Sequence, residues 1–144
     1  MPVASYVKVT SANEDLLEAI NSGTDQWAIA LTNTVPGSKV FTSGTTDLAT
    51  SGGYTAGGTN VTTTTSGMNA SDFVLVLADP TVWTASGGGF TFRYALLVNK
   101  TVLQGAQGTV VAYWDYGSSQ VVAAADTVTV DLDQTATVGV FKVT

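Results

Sequence analysis

The chain is 144 residues long, 44% hydrophobic and only 11% charged, where ordinary soluble domains carry about 25% charged residues, and its net charge is −6. That length holds one compact domain with little room for a second, and the hydrophobic content excludes the polar, highly charged signature of a disordered chain. The five basic residues, Lys8, Lys39, Arg93, Lys100 and Lys142, are scattered, which leaves no basic stripe for nucleic-acid phosphates or an anionic membrane surface.

In chain order, residues 5–10 (SYVKVT) place Val7 and Val9 on one face, which predicts a short strand. The only helix follows. Ser11 and Glu14 form a capping-box pattern, Glu14 and Asp15 suit the positive end of the helix dipole, Leu16, Leu17 and Ile20 make one apolar stripe, and Gly23 supplies the stop. Residues 27–32 (WAIALT) read as a partly buried strand ended by the turn dipeptide Pro36-Gly37. From 43 to 65 the chain is dominated by Gly, Ser and Thr, with Gly-Gly pairs at 52–53 and 57–58 flanking Tyr54. This predicts a long loop, with at most one edge strand near 60–64, too glycine-rich to hold a fixed shape by its own packing.

Residues 73–77 (FVLVL) form a continuous apolar run before Asp79-Pro80, the mark of a central strand buried on both faces. After the triple glycine at 87–89, Phe90, Phe92, Tyr94, Leu96 and Val98 alternate onto one strand face, with Arg93 and Asn99 assigned to the other. Residues 108–116 (GTVVAYWDY) make another strand, which Gly117-Ser118-Ser119 is expected to turn into the next segment. Val128, Val130 and Leu132 alternate with Thr127, Thr129 and Asp131. The closing strand, 136–143, carries Val138 and Val140 on one face and Phe141 and Val143 on the other, so it is covered on both sides or bulged at Gly139. About eight strands with short polar connections and one N-terminal helix predict an all-β fold, an antiparallel β-sandwich or jelly roll, as a single domain over residues 1–144. Residues 1–25 are its N-terminal strand and helix.

With neither Cys nor His, the chain has no Ser-His or Cys-His nucleophile and no thiolate metal site. Paired carboxylates could serve glycoside hydrolysis, and Asp72, Asp79, Asp115, Asp126, Asp131 and Asp133 are the candidates. Asp72, Asp79 and Asp126 sit at strand ends, where Asp commonly makes turn hydrogen bonds, so the structural role is preferred and no catalytic residue is assigned. Asp131 and Asp133 could hold calcium if a neighbouring loop added carbonyls. No calcium-loop spacing is present, and no metal or cofactor is predicted. Tyr113, Trp114 and Tyr116 form one aromatic cluster, with Tyr113 and Trp114 on opposite strand faces. Residues 1–10 lack the cationic start and apolar run of a signal peptide, and no apolar stretch approaches the ~20 residues of a membrane span. A soluble protein made in a cytoplasm is expected.

Several segments recur in a distinctive order: SGGYTAGG from residue 51, LADPTVW from 77, FTFRYALLVN from 90, VVAYWDYG from 110, and the Thr/Val-rich close. Together they resemble a group of small virion proteins of tailed bacteriophages, and the likeness runs over nearly the whole chain from Trp27 onward. The sequence departs from the group's pattern where Trp114 and Tyr116 flank Asp115 and interrupt an aspartate-glycine turn. The resemblance implies a non-enzymatic particle component, either a head decoration (cement) protein or a tail-associated one.

The expected function is therefore capsid decoration: many copies, made in the host cytoplasm, bind the outer surface of the major capsid protein and one another as a homo-oligomer on the head. The loop at 43–65 and the N-terminal segment are the expected contacts, with Tyr54, Asp47 and Asn60 as the named residues. A tail or fibre component is the nearer alternative. A carbohydrate-binding module using Tyr113, Trp114 or Tyr54 is the farther one.

Overall fold

Val, Thr and aromatic side chains favour extended backbone, and the computed structural model, which describes residues 3–12, 19–103 and 107–143, is built almost wholly from it. Its strands are β1 (Ser5–Lys8), β2 (Trp27–Thr32), β3 (Thr59–Val61), β4 (Thr63–Asn69), β5 (Asp72–Leu77), β6 (Trp83–Thr84), β7 (Phe90–Asn99), β8 (Thr109–Val122), β9 (Thr127–Val128) and β10 (Phe141–Val143). They form three antiparallel sheets with orders β1-β8-β7-β2-β3, β10-β5-β4 and β6-β9. The fold is all-β and antiparallel. The chain leaves the first sheet after Val61 and enters the second at Thr63, so Thr62 is the corner between them.

One apolar cluster joins all three sheets: Trp27, Ile29 and Leu31 of β2, Phe92 and Leu97 of β7, Leu75 and Leu77 of β5, Trp83 of β6 and Phe141 of β10. A second, on the opposite face of the five-stranded sheet, gathers Ala30, Tyr94, Leu96, Val98 and Val110 under Val9, Ala12 and Phe41. With both sheet faces covered, every residue of β2 is buried, not the partial burial its mixed composition suggested. β5 is the middle strand of its sheet and is buried from Val74 to Leu77, as its apolar run predicts.

β7 departs from simple alternation. Phe90 and Phe92 belong to the main cluster, but Tyr94, Leu96 and Val98 belong to the other, and Ala95 and Leu97 return to the first. The register slips between Phe92 and Tyr94, where the partners jump from Gln120 to Asp115, and such an irregularity reverses which face each later side chain meets. The single apolar face expected for residues 90–98 is thus two half-faces. The same jump explains Gly117-Ser118-Ser119. These residues bulge out of β8, which continues to Val122 beside β7 without reversing.

The segment 127–132 keeps its predicted alternation, with Val128, Val130 and Leu132 buried and Thr127, Thr129 and Asp131 exposed, although only Thr127–Val128 pairs as a strand. The closing strand is shorter than expected. Residues 135–138 form a turn, Val138 is exposed, and β10 begins only after Gly139. At the N-terminus a single 3-10 turn, Thr10–Ala12, contains Ser11, while Glu14, Asp15, Leu16 and Leu17 of the expected helix lie outside the described residues. No helix among the described residues is long and apolar enough to cross a membrane.

Candidate functional site

The stretch expected to be a loose loop is instead tied down from inside. Ser51 and Tyr54 pair across Gly52-Gly53, both at positive φ, the signature of a type I′ two-residue turn. The turn drives the Tyr54 ring into the main core, where it stacks with Trp83 at 6.3 Å and meets Phe90 at 6.1 Å. Its hydroxyl donates to Asp47 Oδ2 at 2.6 Å and accepts from the backbone N–H of Leu31 at 3.1 Å. Asp47 also accepts from the Gly44 N–H through Oδ1 and the Gly57 N–H through Oδ2, both at 2.6 Å. Burial, and then the hydrogen bond to Asp47, push the Tyr54 hydroxyl well above the ordinary tyrosine range.

Of the three residues expected to touch a partner, Tyr54 is 1% exposed and Asp47 is 4% exposed, so neither presents a side chain to one. Asn60, on β3, is exposed. Because Asp47 is the one charged residue between 43 and 65 and it faces inward, the outer surface of this stretch is uncharged. Thr45, Thr50, Ser51, Thr55, Thr62, Thr64 and Thr65 line it.

The aspartates sort by their partners. Asp72 pairs with Lys142 at 3.0 Å, Asp79 accepts from the Leu132 N–H at 2.8 Å, and Asp115 takes the fork of Arg93 at 2.9 and 3.0 Å. Asp133 Oδ1 accepts from the N–H and hydroxyl of Thr135. Asp72, Asp79 and Asp133 thus serve turns and strand ends, while Asp115 ties β8 to β7 within the sheet. Among the described residues no group of three or more carboxylates comes together to hold a metal ion.

A different feature gathers polar and aromatic groups. An open-sided cleft of about 690 Å³ is lined by Trp114 and Tyr116 of β8, by Thr127, Thr129, Val130, Asp131, Leu132 and Asp133, and by Val3 and Ala4. Trp114 and Tyr116 are half-buried on one face of β8, and Tyr113 packs on the other cluster, so the aromatic trio divides as its parity predicts. Trp114 is held edge-on by Tyr6 at 5.6 Å, and Tyr116 by Phe92 at 5.4 Å. The rings that meet in the cleft are thus Trp114 and Tyr116, whereas Tyr54 is in the core. The two-residue spacing of Trp114 and Tyr116, and of Asp131 and Asp133, was the available signal for each wall. Their juxtaposition depends on long-range packing that no local pattern encodes.

No family model, curated protein or solved structure matches this chain.

Proposed function

We propose that the protein is a structural component of a tailed-phage particle, a capsid decoration (cement) protein that binds the outer surface of the major capsid protein in many copies and stabilises the head. The observation that carries this reading is the surface of residues 43–65: held from inside by Asp47 and Tyr54, it presents hydroxyls and no outward charge of its own, with the Lys100 ammonium beside it at Gly57. Burying a hydroxyl that finds a hydrogen-bond partner costs far less than burying an ion. A surface already held in shape also loses little conformational entropy on docking. The contact residues are Asn60, the exposed threonines of this stretch, and the neighbouring edge strand β4, whose sequence TTTSGMN carries neither charge nor proline to block pairing and exposes Met68. In this reading the facing β-sheets are the two layers of a sandwich of jelly-roll type, a shape that tiles as a rigid block.

Mass spectrometry and imaging of purified particles test it. Hundreds of copies on the head, retained through moderate salt because neutral contacts are little screened, are the expected result. Absence from the head, or a few copies at the tail tip, overturns it. The second outcome would favour the tail or fibre reading.

A further inference from the structure

The geometry points to the cleft lined by β8 and residues 127–133 as a binding site for an uncharged saccharide, with Trp114 and Tyr116 as its stacking wall and Asp131, Asp133 and Thr129 as its hydrogen-bonding wall. A sugar ring has an apolar C–H face and a rim of hydroxyl donors, and the cleft offers one wall for each. The volume of about 690 Å³ lies within the range of small-ligand sites, roughly 300–1,000 Å³. Trp114, in the regular part of β8, and Tyr116, where β8 begins to bulge, both line the cleft and offer aromatic surface to the C–H face of a sugar. Their edge-on contacts with Tyr6 and Phe92 fix the ring planes before any ligand arrives.

The other lining strip, residues 127–133, mixes polar and apolar groups, with Val130 and Leu132 beside Thr129, Asp131 and Asp133. Thr129, Asp131 and Asp133 recur every second residue on the exposed side of a segment whose Val130 and Leu132 are anchored in the core. Carboxylate oxygens accept from the hydroxyls of a sugar, and Asp133 is itself held in place by Thr135. Among the described residues no lysine or arginine lines the cleft, and two carboxylates repel phosphates, sialic acids and uronic acids. A quaternary ammonium would prefer rings arranged around it as a cage, whereas these two rings form one wall. The inference does not depend on where in a particle the protein resides.

Trp114 makes the test direct, because Trp27 is 0% and Trp83 6% exposed, leaving Trp114 as the tryptophan a ligand in the cleft reaches. The full chain is applied to an array of neutral and anionic glycans, and the strongest neutral responders are titrated by tryptophan fluorescence and calorimetry. Tetramethylammonium and sialic acid serve as comparison ligands. Saturable binding of neutral glycans is expected, weakened at least tenfold by Trp114→Ala and by Asp131→Ala, and unchanged by Asp126→Asn outside the cleft. Should Trp114→Ala fail to fold, the exposed Asp131 variant decides. A silent array with unchanged fluorescence at millimolar sugar overturns the assignment, as does binding that Asp131→Ala leaves intact or a preference for tetramethylammonium.

Discussion

Tyr54 supplies Leu31 with the hydrogen-bond partner that the sheet itself does not: its hydroxyl accepts from the Leu31 N–H at 3.1 Å while donating to Asp47 at 2.6 Å. Strand β3 pairs with β2 only from Trp27 to Ile29, so the buried Leu31 N–H lies beyond the end of that ladder. Tyr54→Phe keeps the ring stacking but leaves a buried donor without its acceptor, which costs about 1–3 kcal/mol. Chemical denaturation measures it, and an unchanged midpoint would mean that water replaces the hydroxyl.

The glycines around Tyr54 are required by close backbone approach. At Gly58, with φ of 68°, a Cβ would collide with the Ile29 carbonyl oxygen on β2, whereas at Gly88 it would meet nothing within 4 Å. Gly58→Ala is expected to cost about 3 kcal/mol or more from left-handed strain and forced separation of the strands, and Gly88→Ala close to nothing. Thermal melting of the two variants side by side checks the contrast.

Phe92 is fully buried and touches Phe90 and Tyr116. Phe92→Ala should cost about 3–5 kcal/mol, through lost transfer energy and the cavity left behind. Phe90, 8% exposed on the same half-face, should fall at or below the lower end of that range. A loss under about 1 kcal/mol for Phe92 would place its half-face outside the core.

How much was legible follows from which forces act locally. The β5 run and the Val128, Val130, Leu132 alternation are set by short-range periodicity and are found where the sequence puts them. The flip at Arg93 is not, because five apolar residues at every second position contain no sign of where the register will slip. What decides it is the partner strand, where residues 116–119 bulge and Asp115 meets the Arg93 guanidinium. Tyr54 and Asp47, expected to face a partner, both face inward instead. Their inward direction depends on Trp83, Phe90 and Leu31, which are distant in sequence. The cleft, too, needs two segments separated by a whole connection to meet.

Stability should be flat across neutral pH, since no histidine titrates there, and fall at both extremes. Burial raises the Tyr116 hydroxyl, and burial followed by the Asp47 hydrogen bond raises Tyr54 further still. A folded-state value above the unfolded one near 10 means that the contribution is complete below about pH 10 and is lost as pH rises through the folded values. The Arg93 hydrogen bond holds Asp115 below the usual carboxylate value of 3.8, and the Thr135 hydroxyl does the same for Asp133. Their contributions are present above that value and disappear as pH falls through the lowered ones. Melting temperature against pH should show the plateau, and Tyr54→Phe should blunt the alkaline fall. An alkaline limb identical in that variant would remove Tyr54 from its cause.

Residues 43–58 should resist proteolysis in the isolated protein, despite a composition that suggests an open loop. A protease needs several residues of extended, accessible backbone, so cleavage here requires local opening. Opening would break the Asp47 hydrogen bonds to Gly44, Gly57 and Tyr54, withdraw the Tyr54 ring from Trp83 and Phe90, and release the Leu48 N–H from the Leu31 carbonyl, a bond of 2.8 Å. These contacts lie in one connected network, so the segment opens as a unit and its opening free energy approaches that of the surrounding core. Limited digestion followed by mass mapping should therefore leave 43–58 intact in the native chain. Tyr54→Phe, by cutting the link between Asp47 and Leu31, should make cleavage within 43–58 appear before global unfolding does. Rapid cutting of the unmodified protein there would show that the network does not hold the segment, and that its order must come from a partner.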